Sequence, residues 1–358
     1  MAPFVSREVE RRIEELEIPF GPFGVDPYGI SKKHLAVGFS MVEPFYKHYF
    51  SVRAIGTENV PVRGRGMLVG NHSGGVAIDG VMTIASMFFA KNPPRLAQGM
   101  VEKFMNKIPF ASLLTSRTGQ LTGLPEHAIR LLEDDRLLMV FPEGAKGTAK
   151  LYKDRYSLVR FGTGFVRLAM RTRTPIVPFA FLGGGAAFPT ISNAVALGRL
   201  VGAPYVPITA YLLPVPLPVR LEVEYGEPMV FEGTGAEADT VIEGYVERVR
   251  MKIAEMIEAG RARRESFAEQ TLKSFRAPPP GGSADAGAIQ RMADRSGLVS
   301  VELGDAATAE HLRQGRMQRG RRGRVAGSLG WQRAPGCHGG HEARVAAQVV
   351  EQRGQGHG

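Results

Sequence analysis

The sequence predicts an α/β fold: a largely parallel, mixed sheet flanked by helices, with N-terminal amphipathic helices and a disordered C-terminal tail. Two observations carry the first part of this reading. From Val62 onward, short apolar runs alternate with helical stretches, and glycine-rich turns follow several of those runs. A third carries the tail: after about residue 267 the large apolar residues thin out and Gly, Arg, Ala, Gln and His take over. No repeat of roughly 20–50 residues recurs, which excludes a solenoid.

Taken in order, Phe4 to Ile18 places Val5, Val9, Ile13 and Leu16 at helical spacing amid Arg and Glu, a helix expected to pack on the main domain. Lys32 to Phe50 combines aromatic residues with Lys32, Lys33, Lys47 and, just beyond, Arg53. Such a helix suits either a membrane interface or an ordinary core, and Glu43-Pro44 interrupts it, so it does not span a bilayer. Met67–Gly70 reads as a buried strand leading to an apolar helix over Val76–Ala90. Arg95–Gln98 leads to a helix near Val101–Met105, and Gly119–Leu121 to a helix over Pro125–Glu133. Leu137–Phe141 leads to a glycine-rich loop, and a helix over Phe161–Arg171 feeds a strand at Ile176–Leu182.

Between Thr174 and Val219 the only charged residue is Arg199. Prolines from Pro175 to Pro218 and the Gly183-Gly184-Gly185 run deny a continuous membrane-spanning helix there. Part of this segment is core strand; the part around Tyr205 to Pro218 is expected to be an apolar loop on or in a bilayer surface. Leu221–Gly226 alternates like a strand, and Thr240–Ala259 is a charged amphipathic helix that closes the domain. The organisation expected is thus amphipathic, membrane-associating helices over 1–60, a catalytic domain over 61–267, and a low-complexity tail over 268–358.

Composition narrows the chemistry. The formal charge is +10, which favours anionic partners such as a phospholipid surface or a phosphorylated ligand. The Arg-Gly-rich stretch Gln318–Arg324 belongs to a solvated tail, and no nucleic-acid partner is expected. The single cysteine, Cys337, excludes a disulfide framework and upstream thiol catalysis. The first 17 residues are charged, with no apolar h-region, so no signal peptide is expected.

Two constellations carry chemistry. The first is Asn71-His72-Ser73-Gly74-Gly75, with Asp79-Gly80 following, at a strand end and helix start. The crevice beyond strand ends is the usual ligand site of open α/β sheets. There Asp79 could accept from one ring nitrogen of His72 and leave the other free to take a proton from a hydroxyl. A satisfied structural histidine is the plainer alternative. The second is Phe141-Pro142-Glu143-Gly144-Ala145-Lys146-Gly147-Thr148, again after a strand, where backbone N–H groups and an ammonium suit a phosphate or carboxylate. Arg117, in Ser116-Arg117-Thr118-Gly119, adds positive character. No P-loop, no metal-ligand spacing and no Gly-x-Ser-x-Gly elbow occurs, so no metal site is expected and an α/β-hydrolase is disfavoured.

In this order, the Asn-His-Ser-Gly-Gly…Asp-Gly block, Phe-Pro-Glu-Gly, the Pro-Ile-Val-Pro strand and Pro-Leu-Pro-Val-Arg leading into Gly-Glu-Pro resemble the glycerolipid (lysophospholipid) acyltransferase superfamily. The resemblance covers roughly Val52 to Ala259. The six residues separating His72 from Asp79 are a longer spacing than the family's common one, and are similar to the branch related to mono- and diacylglycerol acyltransferases. The resemblance implies transfer of a fatty acyl group to a hydroxyl of a lysophospholipid or a mono- or diacylglycerol. The co-substrate is an acyl-CoA or acyl carrier protein thioester, and no cofactor is needed. His72 and Asp79 would be catalytic; Asn71, Ser73, Gly74, Arg117, Glu143, Gly144 and Lys146 would bind substrate. A 1-acylglycerol-3-phosphate O-acyltransferase-like enzyme of phospholipid synthesis, peripheral on the cytoplasmic face of a membrane, is the implied reading. A lipid esterase and a catalytically silent lipid-binding protein are the alternatives.

Overall fold

The chain is described by a computed structural model over residues 5–74, 78–101, 115–200, 203–212 and 215–276. Seven strands form the main sheet: β1 (Arg53–Ile55), β2 (Gly66–Gly70), β3 (Ala97–Val101), β4 (Leu121–Thr122), β5 (Leu137–Val140), β6 (Ile176–Leu182) and β9 (Glu222–Tyr225). Their order is β1-β9-β6-β2-β5-β3-β4. Every pairing is parallel except β6 with β9. A separate antiparallel pair joins β7 (Thr190–Ala194) to β8 (Val206–Thr209). The sheet is thus largely parallel and mixed, as the alternation of strands and helices predicts.

The sheet is covered on both faces, which is why its strands read as unbroken apolar runs. Side chains alternate across it. Leu68 of β2, Met139 of β5 and Val177, Phe179 and Phe181 of β6 enter one core; Met67, Val69, Leu138, Ile176, Ala180 and Leu182 enter the other. The first core is closed by α1 (Arg7–Glu14), α2 (Lys32–Pro44) and α3 (Ile78–Phe89). The second is closed by α4 (Pro125–Glu133), α5 (Gly164–Arg171) and α6 (Asp239–Arg276). The alternate glutamates of β9 are paired: Arg263 of α6 reaches both the buried Glu222 and the partly exposed Glu224.

The N-terminal region belongs to this same body, so the structure draws the first boundary differently from the sequence. Ser6 caps α1 by accepting from the Val9 N–H, and Val9, Ile13 and Leu16 are buried in the first core. β1 is an edge strand of the main sheet. Pro44 does not end the helical run either. The chain continues through it into a π-helical turn over Phe45–Tyr49. The lysines read as membrane-facing are ion-paired to acidic residues, Lys32 to Glu14 and Lys47 to Glu8 and Glu43. At the other end α6 runs past residue 267 to Arg276. The helix expected near Val101–Met105 falls mostly outside the described residues, as does most of the tail. No helix among the described residues is long and apolar enough to cross a membrane.

Phe39 of α2 stacks on Phe88 of α3 with centroids 3.7 Å apart, joining the N-terminal helices to the element that begins next to the candidate site. Phe88→Ala should therefore cost about 3–5 kcal/mol of unfolding free energy. Urea denaturation would measure it, and a loss below about 1 kcal/mol would show that the N-terminal helices do not depend on this contact.

Candidate active site

β2 lies between β5 and β6, all three parallel, so the segments leaving β2 and β5 emerge side by side at one end of the sheet. Asn71 continues the pairing of β2 with β6 by side chain: its amide donates to the Phe181 carbonyl at 3.0 Å and accepts from the Phe181 N–H at 2.8 Å. The chain then turns through Gly74, at φ +89°, where a Cβ would lie 2.8 Å from the Lys150 carbonyl oxygen. Only glycine fits.

His72 and Asp79 come together. Asp79, in the first turn of α3, holds His72 Nδ1 at 3.0 Å. The same carboxylate accepts from the Ser73 N–H at 2.9 Å and the Gly80 N–H at 2.8 Å. Burial pushes the Asp79 carboxyl upward, but the His72 ring and these N–H donors outweigh it and hold it below the ordinary carboxylate value. The imidazole stacks on Phe141 at 4.0 Å, and Phe141 meets Phe179 edge-on. With Nδ1 engaged and one ring face covered, Nε2 has no partner among the described residues.

Glu143 connects the two loops. One oxygen accepts from the His72 backbone N–H at 2.9 Å, the other from the Val159 N–H at 2.9 Å. Lys150 pairs with this carboxylate at 2.6 Å and also donates to the His72 carbonyl at 2.8 Å. Both side chains are buried, and burial pushes the Lys150 ammonium down while Glu143 opposes it. Gly147 completes the contact: a Cβ there would lie 2.8 Å from His72 Cβ and 2.7 Å from Glu143 Cβ.

This geometry corrects several expectations about substrate binding. Asn71 and Glu143 are buried scaffold, their polar atoms committed to Phe181 and to His72, Val159 and Lys150. Ser73 is buried, and its hydroxyl donates to Asp79 at 3.3 Å, so it is placed neither as a substrate contact nor as an esterase nucleophile for His72. Gly74 is a turn residue. The Gly144 N–H is taken by the Phe141 carbonyl and is not free for an oxyanion. Arg117 precedes the edge strand β4, two strands beyond β5, and donates to the Gly29 carbonyl. Lys146 is exposed on the short turn Ala145–Thr148, next to Gly147. The inward packing roles of Lys150, Gly147 and Phe141 escaped sequence reasoning; the Phe-Pro-Glu-Gly run pointed to the right loop but not to the direction of its side chains. A cavity of about 620 Å³ lies at the opposite end of the sheet, lined by Arg95, Leu96, Arg136 and Leu137, and has no part in this constellation.

An acyltransferase family model matches residues 51–182, a span holding both loops. An uncharacterized protein of Mycobacterium tuberculosis is 32% identical over 249 residues, covering 66% of this chain and 69% of that protein. The chain belongs to the acyltransferase family. A Mycobacterium leprae relative is 31% identical over the same length. The acyltransferase is also 26% identical over 188 residues to a Bos taurus protein described as a DGAT1/2-independent enzyme synthesizing storage lipids, covering 49% of this chain and 52% of the relative. Among solved structures, the 1-acyl-sn-glycerophosphate acyltransferase PlsC of Thermotoga maritima is 17% identical with a TM-score of 0.44, over 64% of this chain and 82% of that one. Family membership agrees with the resemblance carried by the motifs.

Two outcomes test the site's electrostatics. Lys150→Met leaves Glu143 buried without its cation and should cost about 3–5 kcal/mol, whereas Glu143→Gln with Lys150→Met should recover most of that loss. Urea unfolding of the three proteins measures it, and equal losses in single and double variants would deny the pair. For Asp79 the folded value is depressed, so its contribution to stability is present above the unfolded carboxylate value and lost as pH falls through the folded one. The stability gap between wild type and Asp79→Asn should shrink as pH falls below about 4, where the carboxylate is neutralised. A gap that instead widens in acid would contradict this.

Proposed function

We propose that this acyltransferase moves a fatty acyl group from an acyl-CoA or acyl carrier protein thioester to a hydroxyl of a glycerolipid at a membrane surface. The observation that carries the reading is the His72–Asp79 pair, with Nδ1 fixed and Nε2 left to the substrate side. His72 Nε2 takes the proton from the acceptor hydroxyl as that oxygen attacks the thioester carbonyl carbon. The C–O bond forms, the tetrahedral intermediate collapses, the C–S bond breaks, and the imidazolium returns its proton to the departing thiolate. Asp79 holds the tautomer and stabilises the imidazolium. Among the buried charges Asp79, Glu143 and Lys150, an imidazolium is the fourth charge that brings the cluster to neutrality. Transfer is direct, because Ser73 faces Asp79 and the single cysteine lies at position 337.

A mono- or diacylglycerol acceptor suits the site better than a phosphomonoester such as 1-acylglycerol 3-phosphate. Of the two cations nominated for a phosphate, Arg117 is bonded to Gly29 near the far edge of the sheet, and only Lys146 lies on the loop beside His72. The storage-lipid relative and the long His–Asp spacing point the same way.

Docking on a phospholipid surface is supported by exposed apolar side chains at the His72 end of the sheet. Phe45 and Tyr49 precede β1, while Leu212 and Val215 precede β9, and both strands begin beside the end of β6. The Tyr49 hydroxyl joins the two groups by donating to the Pro216 carbonyl at 2.6 Å. We place the enzyme peripherally on the cytoplasmic face, where its thioester donors are found.

Purified protein with acyl-CoA or acylated carrier protein and a panel of monoacylglycerols, diacylglycerols and lysophospholipids tests this by release of the free thiol and by lipid product. Acceptor-dependent release should be greatest with mono- or diacylglycerol and fall roughly 10²–10⁴-fold in His72→Ala. Asp79→Asn should also be impaired. A preference for lysophosphatidate that is lost in Lys146→Ala would move the acceptor assignment to the phosphate class. Absence of turnover with both donors, in vesicles as well as detergent, would sink the catalytic reading.

A further inference from the structure

The β7–β8 hairpin lies outside the segment matched by the family model, residues 51–182, yet it returns to the catalytic loops. Gly185 first carries the chain past the catalytic turn, where a Cβ would lie 3.1 Å from the Ser73 carbonyl oxygen. Two polar side chains of the hairpin region then attach to the loop after Glu143. Asn193 Nδ2 donates to the Ala149 carbonyl at 2.7 Å, and the Tyr205 hydroxyl donates to Thr148 Oγ1 at 2.6 Å. The amide orientation of Asn193 follows from chemistry, since only its nitrogen can donate to a carbonyl.

The residues gripped from this side are flanked by those that hold His72 from the other. Gly147, immediately before Thr148, lies against the imidazole; Lys150, immediately after Ala149, donates to the His72 carbonyl. Thr148 and Ala149 are therefore clamped between the hairpin and the base. Burial pushes the Tyr205 hydroxyl upward, the Thr148 bond lowers it and the Asp79 carboxylate raises it again, so the phenol stays protonated and a donor at neutral pH.

We propose that Tyr205 and Asn193 are positioning residues for acyl transfer: they brace Thr148 and Ala149 so that Gly147 and Lys150 keep His72 in register with Asp79. The inference rests on the acyltransferase reading above and adds residues that the reading does not require.

The test compares wild type, Tyr205→Phe, Thr148→Val, their double variant, Thr148→Ser and Asn193→Ala as full chains, with the donor and acceptor that wild type turns over. Tyr205→Phe, Thr148→Val and Asn193→Ala should each lower kcat about 10-fold with both KM values unchanged, as expected for a misplaced base. Thr148→Val also removes the bond from the Thr148 hydroxyl to the Ala145 carbonyl, so the double variant should be no worse than Thr148→Val alone, and Thr148→Ser, which keeps both bonds, should retain kcat. Wild-type kcat in Tyr205→Phe, a loss confined to KM, or independent losses that multiply in the double variant would each overturn the brace. A second readout needs no turnover. The downfield proton resonance of His72 Nδ1–H, identified by its loss in Asp79→Asn, should shift or broaden in Tyr205→Phe while the Tm is retained; an unchanged resonance would overturn the proposal. Inactivity of the wild type itself would count against the proposed reaction and leave this spectroscopic test to decide the brace.

Discussion

Glu143 and Lys150 form the buried ion pair on which both loops depend. Taking two charges out of water costs several kcal/mol each, and their attraction compensates only when the remaining hydrogen-bonding capacity is also met. Here it is met by the site itself. Glu143 receives the backbone N–H groups of His72 and Val159, while Lys150 also donates to the His72 carbonyl. Both peptide groups flanking the His72 α-carbon are held by this pair or its partner, so the imidazole is positioned from its backbone outward. Asp79 then fixes the ring's rotation and Phe141 its plane. A hydrophobic pair of equal volume could fill the space but could not hold that backbone.

The ion pair is possible because of the strand order. β2 leads through α3 to β3 on one side of it, while β5 leads through α5 to β6 on the other. Right-handed crossovers that move in opposite directions must lie on opposite faces, and α3 and α5 do belong to different cores. The adjacent strands β2 and β5 therefore part company at their ends and leave a crevice between their loops. His72 stands on one lip and Glu143 with Gly147 on the other, bridged across it.

Much of this was legible in one dimension. Apolar runs bounded by glycine located β2, β5 and β6; the helix over Pro125–Glu133 and the strand over Ile176–Leu182 have the same bounds in sequence and structure. The His72–Asp79 pair followed from a strand-to-helix transition placing both side chains near one turn. Direction was not legible. A glutamate in a glycine-rich loop reads as a ligand group, and only the fold shows Glu143 turned inward onto a backbone 71 residues earlier. Arg117 failed for the related reason that a basic residue near a motif in sequence can stand strands away in the sheet. Lys150 reads only as one of several basic residues after the motif, because nothing local distinguishes a buried lysine from the solvated ones beside it.

The stretch from Thr174 to Val219, whose single charge is the exposed Arg199, acquires a physical rationale once it is folded. Its first part is β6, buried on both faces, where any charge would cost more than packing could return. Its later part has no such constraint, since Ile191, Val195, Leu197, Leu212 and Val215 are exposed. Water alone gives no reason to limit exposed strands and loops to one charge. The topology supplies one, because β6 ends at the His72 end of the sheet and β9 begins there, so the whole connection between them must be built at the mouth of the site. Anchored inward by Asn193 and Tyr205, the hairpin stands beside the catalytic loops with Ile191, Val195 and Leu197 exposed on it. Under the proposed acyl transfer, a lipid acceptor would enter by this mouth and present its hydroxyl on the side where His72 Nε2 has no partner among the described residues.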